Sequence, residues 1–470
     1  MATIVIAGGG VAGLATALAM ARDRHRVVVL ERGAAPELAG PAGQAGERWQ
    51  RPAVPQAGHS HTLTSLGVAV LREHAPALLA DLLGAGARLL DLTAAMPPAP
   101  RLPDDAELVA LACRRTTFDV VLHRHVSARP AVEVRHRTRV LGLVTTPGGD
   151  RVAGVRTDSG PVPADLVIDA TGRRALGRRW LDELGLTLPA DLSAPTGTRA
   201  YARFYRRPDP GPLNRGNAAG VLAEHFAGVL HPGDGDTFSV AFGVLPRDEE
   251  LRRLGDPDAF DAAARATPWV TDWMSGARPI TAVRTITMPP NTLSALAVTP
   301  SPVAGLVSAG DAACVTDPIF GRGLSLALAR SFQLAGLLRA HPRPDAELGR
   351  AAAEAAAELY TPWYQHACAE AGERIARWRA AVDGAPPPAL PVSALRAAAG
   401  AAGRDPVVWR GVIRVLMGLR TPAEVFADES FAARVTSAGP PRPAPGVPTR
   451  AELLAITARE GSEHVHAARR

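Results

Sequence analysis

Apolar positions follow two different rhythms along this chain, and the change between them divides it. Ile4-Val5-Ile6, Val27 to Leu30, Leu166-Val167-Ile168 and Val303 to Ser308 are unbroken apolar runs. Such runs predict strands buried on both faces, as in a parallel sheet covered by helices. Ala200 to Arg206, Thr237 to Leu245 and Ile280 to Met288 instead alternate polar and apolar residues. That period predicts a mixed or antiparallel sheet with one face wet or turned to a ligand. Further strands are expected over Ala87–Leu92, Ala131–Arg137, Arg139–Thr145 and Val152–Thr157. Helices are expected from Leu14 to about Arg22, from Leu63 toward Glu73, from Thr116 or Thr117 through Val126, and over Ala259–Ala266. A long one should end near Leu338, and Ala351 to Val382 should be helical but broken near Pro362. The expected fold is an α/β first domain with a parallel sheet, an α+β second domain with a mixed sheet, and a helical C-terminal region. In residues, 1–190 begin the first domain with inserted loops, 191–295 form the second-domain sheet and 296–345 return to the first domain. Residues 346–435 make the helical region and 436–470 a mobile tail with a short helix.

Composition narrows the classes. The 470 residues, 47% of them apolar, exceed what one hydrophobic core usually serves. The net charge of +6 is spread out, with no arginine block interleaved with aromatics, so a nucleic-acid partner is not expected. All 52 basic residues are arginine, which excludes any mechanism that needs a lysine amine. Cys113, Cys314 and Cys368 are far apart and read as reduced thiols. The apolar stretch Ile4–Met20 is interrupted by glycines and is no membrane span. Stable membrane insertion is therefore not expected, and the cytoplasm is the expected location.

The chemistry begins at Gly8-Gly9-Gly10-Val11-Ala12-Gly13, a GxGxxG motif between a strand and a helix, with Glu31-Arg32 closing the next strand. Gly8 permits a tight turn, Gly10 admits a pyrophosphate to the backbone, and Gly13 lets helix and strand approach. Glu31 would accept hydrogen bonds from ribose hydroxyls, with Arg32 beside it. This unit alone allows FAD or NAD. A second motif, Gly310-Asp311 followed by Pro318-Ile319-Phe320-Gly321-Arg322-Gly323, comes after the late buried strand. Asp311 can bind a ribityl hydroxyl, and the glycine loop at a helix N-terminus can bring N–H groups to the pyrimidine edge of an isoalloxazine. Two ends so far apart in sequence follow flavin logic: FAD is the expected cofactor, and residues 1–190 with 296–345 are expected to form its Rossmann-like binding domain. Arg115, before a helix, can reach a phosphate or ribityl oxygen. His59 and His61 lie one residue apart with no third ligand at helical spacing, so a polar loop near the cofactor is expected and no metal. Trp269 and Trp273 either line an apolar substrate pocket or pack in a core.

With these motifs the chain resembles the FAD-dependent monooxygenases of the para-hydroxybenzoate hydroxylase fold over roughly residues 1–345. The family's nucleotide motif falls on Gly8, Gly10, Gly13 and Glu31, its DG-type segment on Asp165–Gly172, its GD motif on Gly310-Asp311 and its arginine on Arg115. The run Arg51 to Leu63, RPAVPQAGHSHTL, is similar to the bacterial branch related to squalene epoxidases and polyether epoxidases, with Ala53 where that pattern has glycine. The resemblance implies an oxidoreductase of secondary metabolism, such as antibiotic biosynthesis. In such enzymes reduced FAD and O2 form a C4a-hydroperoxide that epoxidises or hydroxylates an apolar or aromatic intermediate, free or carrier-bound. NAD(P)H or a separate flavin reductase would supply electrons. His59, His61 and Arg322 are the polar groups expected at the reacting end. Halogenases share the fold but use a lysine that this chain lacks. A flavin dehydrogenase or double-bond reductase, and a non-redox FAD-containing cyclase or binding protein, remain as alternatives.

Overall fold

A computed structural model describes residues 2–23, 25–52, 54–207, 220–386, 388–389, 391–439 and 446–467. The first domain opens with strand β1 (Thr3–Ala7), helix α1 (Val11–Ala21) and strand β2 (Arg26–Glu31). Helix α2 (Arg115–Ser127) and strands β3 (Val132–His136) and β4 (Leu166–Asp169) follow. The apolar runs become interior strands because helices cover one face and a three-stranded sheet, Val140–Thr145, Val152–Thr157 and Gly160–Pro163, packs on the other.

The alternating segments form a second sheet. Its strands are β5 (Arg199–Arg206), β6 (Gly220–Leu222), β7 (Ala227–Pro232), β8 (Thr237–Val244), β9 (Arg278–Pro279) and β10 (Arg284–Thr287). They lie antiparallel in the order β6-β7-β8-β5-β9, with β10 also paired to β5. Period-two alternation sends Phe238, Val240, Phe242 and Val244 to one face. There they pack with helices α3 (Pro257–Arg265) and α4 (Pro268–Met274). Trp273 is buried in this core and Trp269 packs against it, so both tryptophans are packing residues.

The chain then returns. Strand β11 (Leu306–Ser308) joins β4, completing a parallel sheet in the order β11-β4-β1-β2-β3. Helix α5 (Gly323–Ala340) lies along α1, where the Thr16 and Ser331 hydroxyls meet at 3.0 Å. Helix α6 (Ala346–Asp383) runs unbroken through Pro362, contrary to the break expected there. A proline forfeits one helical hydrogen bond. Here the side chains of Tyr360, Trp363 and Tyr364 are buried around it, and their packing outweighs that loss. Helices α7 (Ala394–Ala402) and α8 (Pro406–Leu416) cover the strand pair Arg88–Asp91 and Val109–Ala112. The last helix, α9 (Arg450–Ala467), docks on the second domain through buried Leu453. The expected mobile tail, residues 436–470, lies partly outside the described residues, and Ala53 lies outside them. Among the described residues no helix is long and apolar enough to cross a membrane.

Candidate flavin cleft

One cleft of about 2580 Å³ opens between the parallel sheet, the second sheet and the C-terminal helices. Its floor is the β1–α1 turn. Gly8 has φ +113°, and a Cβ there would stand 2.3 Å from the Ala170 carbonyl oxygen. At Gly13 a Cβ would lie 1.9 Å from the Gly8 oxygen, so this glycine serves the packing of α1 on the turn and does not line the cleft. Gly10 caps α1, and a Cβ there would meet no protein atom within 4 Å. The free N–H groups of the first turn of α1 therefore face open space suited to a pyrophosphate. Glu31 lines the cleft and accepts the Gly9 N–H at 2.7 Å and the Gly33 N–H at 2.6 Å. Its carboxylate is thereby fixed with lone pairs left over for ribose hydroxyls. Arg32 lies beside it on the cleft wall.

The return segment closes the other end. Gly310 has φ +63°, and a Cβ there would reach 2.4 Å from the Ala12 Cβ, so the loop comes down onto the start of α1. Asp311 lines the cleft and accepts no hydrogen bond from the described residues. Burial raises its pKa, opposed by the charges of Arg115 and Arg173. A carboxylate left without a protein partner in such a place fits a hydroxyl-bearing ligand. Pro318, Gly321 and Gly323 line the cleft too, with Gly321 at φ +65° to turn the chain into α5. The gap between the two ends thus suits FAD in shape and in donor set.

Arg115 reaches the cleft with its Nε donating to Asp119 at 2.6 Å. Asp119 also holds Arg51, the first residue of the run Arg51 to Leu63, to which the sequence assigned no role at the cofactor. Arg51 stacks over Trp49 at 4.3 Å and points at the Gly9 carbonyl, 3.4 Å away. The shared carboxylate is the missed signal: Asp119 is four residues after Arg115, but its pairing with Arg51 arises only from the fold. Arg114 turns away from the cleft and grips buried Asp234 of the second domain, 2.7 Å from its Nη2, tying the two domains together.

His59 and His61 stand on the cleft wall where a loop meets the second sheet. Ser60 between them donates to the Ser239 hydroxyl at 2.8 Å, latching the loop to β8. Burial, with Arg284 nearby, lowers the His59 pKa to about 4. Burial, helped by Arg115, lowers that of His61 to about 3. Both imidazoles are neutral at physiological pH. The His61 Nδ1–H donates to the His59 carbonyl oxygen at 2.9 Å, which leaves its Nε2 as an acceptor.

Arg322 is not brought to the cleft, which corrects its expected place beside the flavin. Its guanidinium lies sealed in the C-terminal region, 4.4 Å over the Phe320 ring and 4.6 Å over Trp363, with His366 Nδ1 3.3 Å away. The left-handed turn at Gly321 sends this side chain behind the loop rather than through it. In the same buried layer Arg374 pairs with Asp317 and donates to the Thr196 carbonyl at 2.7 Å, pinning the loop to α6. Cys314, buried and without a polar partner in the cleft, has its thiol pKa raised by burial.

Known proteins share this fold. PqsL from Pseudomonas aeruginosa, solved in complex with 2-aminobenzoylacetate, superposes with a TM-score of 0.61 at 18% identity, over 82% of this chain and 99% of that one. The flavin-dependent brominase Bmp2 gives 0.61 at 18% identity, over 93% and 98%. The myxobacterial chondrochloren halogenase CndH gives 0.55 at 21% identity, over 77% and 79%. The fold is that of flavin-dependent monooxygenases and halogenases. Within it, the Gly8–Glu31 and Gly310–Gly323 segments are the two ends of one cleft. In sequence, Protein Rv3254 of Mycobacterium tuberculosis is 28% identical over 421 residues, which span 80% of this chain and 82% of the relative. No protein-family model matches the chain.

Proposed function

We propose that this protein is an FAD-dependent monooxygenase that inserts one atom of O2 into an uncharged apolar or aromatic metabolite, by hydroxylation or epoxidation. The observation that carries this reading is the continuity of one cleft from Gly10 and Asp311 to the small-residue face of the second sheet. The chemistry that FAD supplies when bound is two-electron reduction and activation of O2. The second oxygen atom leaves as water, with two electrons from NAD(P)H or from a separate flavin reductase.

The protein's own tasks are binding, orientation and exclusion of water. The α1 N-terminus and Arg115 would neutralise the pyrophosphate, Glu31 would hold the adenosine ribose, and Asp311 would hold a ribityl hydroxyl. The N–H groups at the start of α5 would meet the pyrimidine edge. His59 and His61, being neutral, would position groups by hydrogen bonding rather than act as cationic acids. Electrophilic oxygen transfer needs no protein nucleophile.

The test is turnover of candidate aromatic and alkene substrates with reconstituted enzyme under isotopically heavy O2. Heavy oxygen in the product is expected. A reduced product free of it would establish the double-bond reductase reading instead, and a rearranged product formed anaerobically with oxidised flavin would establish the cyclase reading. Halogenation is disfavoured because the chain has no lysine, all 52 Lys and Arg positions being arginine.

A further inference from the structure

His231 on β7 is a polar group that no motif reading singled out. It lines the cleft, and its ring makes no hydrogen bond to the described residues. Its Nδ1 is sealed from solvent without a partner, which leaves Nε2 as the nitrogen available to a ligand. A buried N–H with no acceptor is costlier than an under-used lone pair. The favoured tautomer therefore keeps Nδ1 bare and places the proton on Nε2, making His231 a donor toward the cleft. Burial holds the ring neutral, with its pKa lowered to about 4.

Its surroundings define what that donor meets. Along the cleft face of the sheet Gly243 pairs with both Ala200 and Ala227, and Ala241 pairs with Val229. These rungs form a small-residue floor, bounded by Leu222 on β6 and Ile286 on β10, with the Trp378 ring close to Gly243 at the far end. His231 sits one same-face step further, about 7 Å along the strand, opposite Ser239. Ser239 is the residue that Ser60 latches, so His231 marks the end of this small-residue floor nearest the His59–His61 loop.

We infer that His231 is the substrate-orienting donor of this cleft, and that the substrate class is planar, uncharged molecules carrying an acceptor oxygen, such as a conjugated ketone, quinone or phenol. This deepens the monooxygenase reading and rests on it for the word substrate. It favours a ring activated by an oxygen substituent over an isolated alkene. An oxygen held at this rung also fixes which carbon of a planar substrate is turned toward the reacting end.

The experiment uses FAD-loaded full-length protein and two probes of equal shape, 2-acetylnaphthalene and 2-isopropenylnaphthalene, which differ in an acceptor oxygen against a methylene. Binding is read by calorimetry, and flavin content is measured separately, so loss of cofactor and failure of turnover do not enter the result. Wild-type protein should prefer the ketone by roughly 2- to 12-fold, the range of one net hydrogen bond. His231→Phe should abolish the preference while still binding the hydrocarbon, and His231→Gln, which restores an N–H donor, should recover part of it. Equal affinity for the two probes in wild type, absence of binding by both, or a preference that survives in His231→Phe would overturn the assignment.

Discussion

Gly10 and Gly13 lie three residues apart and make opposite demands on a substitution. A side chain at Gly10 meets only the space proposed for a pyrophosphate, whereas one at Gly13 collides with the Gly8 carbonyl. Gly10→Val should therefore leave the melting temperature of the flavin-free protein nearly unchanged while lowering flavin occupancy, measured as flavin absorbance per protein. Gly13→Ala should destabilise the fold itself by about 1–3 kcal/mol in urea titrations. Asp311→Ala should resemble Gly10→Val, because its carboxylate bonds nothing in the described protein; unchanged occupancy in both variants would remove the cofactor from this place. These residues were legible in the sequence because a turn glycine and a strand-end acid act through local backbone geometry. Arg51, Arg322 and His231 were not. Their roles depend on Asp119, Trp363 and the β7–β8 register, partners that only the tertiary fold supplies.

At the scale of elements, the Pro318–Gly323 loop is held from behind by the Asp317–Arg374 pair, buried on both sides. Breaking such a pair strands a charge in the interior and costs about 3–5 kcal/mol. Arg374→Met should lower stability by that order, and adding Asp317→Asn should restore much of it, as read from urea midpoints of the double-mutant cycle. If the single variant were as stable as wild type, the loop would not depend on this pair. The elements with unbroken apolar runs or clean alternation were readable from sequence, and Val152–Thr157 matches residue for residue. Strand β7 was missed because Gly228 and Pro232 dilute its pattern; its pairing with β8 compensates for weak local propensity. The continuity of α6 through Pro362 was missed for the reverse reason, packing having overridden a local breaker.

Across the whole molecule, buried neutral imidazoles set the response to acid. The pKa values of His59, His225 and His231 are lowered to about 4 and those of His61 and His366 to about 3, chiefly by burial. A histidine depressed in the folded state binds fewer protons there than when unfolded, so stability rises with pH through this range. Their contribution is complete above the ordinary value of 6.5 and is lost as pH falls toward the folded values. One such ring accounts for on the order of 3 kcal/mol when the loss is complete. Urea midpoints should therefore decline between pH 6.5 and 4, and His59→Gln should flatten part of that decline. A midpoint independent of pH over this interval would mean that the rings are already hydrated in the native state.

The place of β11 at the edge of the parallel sheet, beside β4, has a consequence for biogenesis. A ribosome making this protein releases Leu306–Ser308 only after every strand of the second sheet has emerged. Until then β4 is a bare sheet edge, open to pairing with another nascent chain. Flavin loading must wait for the same late segment, since Gly310 completes the far end of the cradle against Ala12. Synthesis truncated before residue 306 should yield aggregates rather than a smaller working domain, and riboflavin-starved cells should accumulate full-length chains whose return segment is unusually open to proteases.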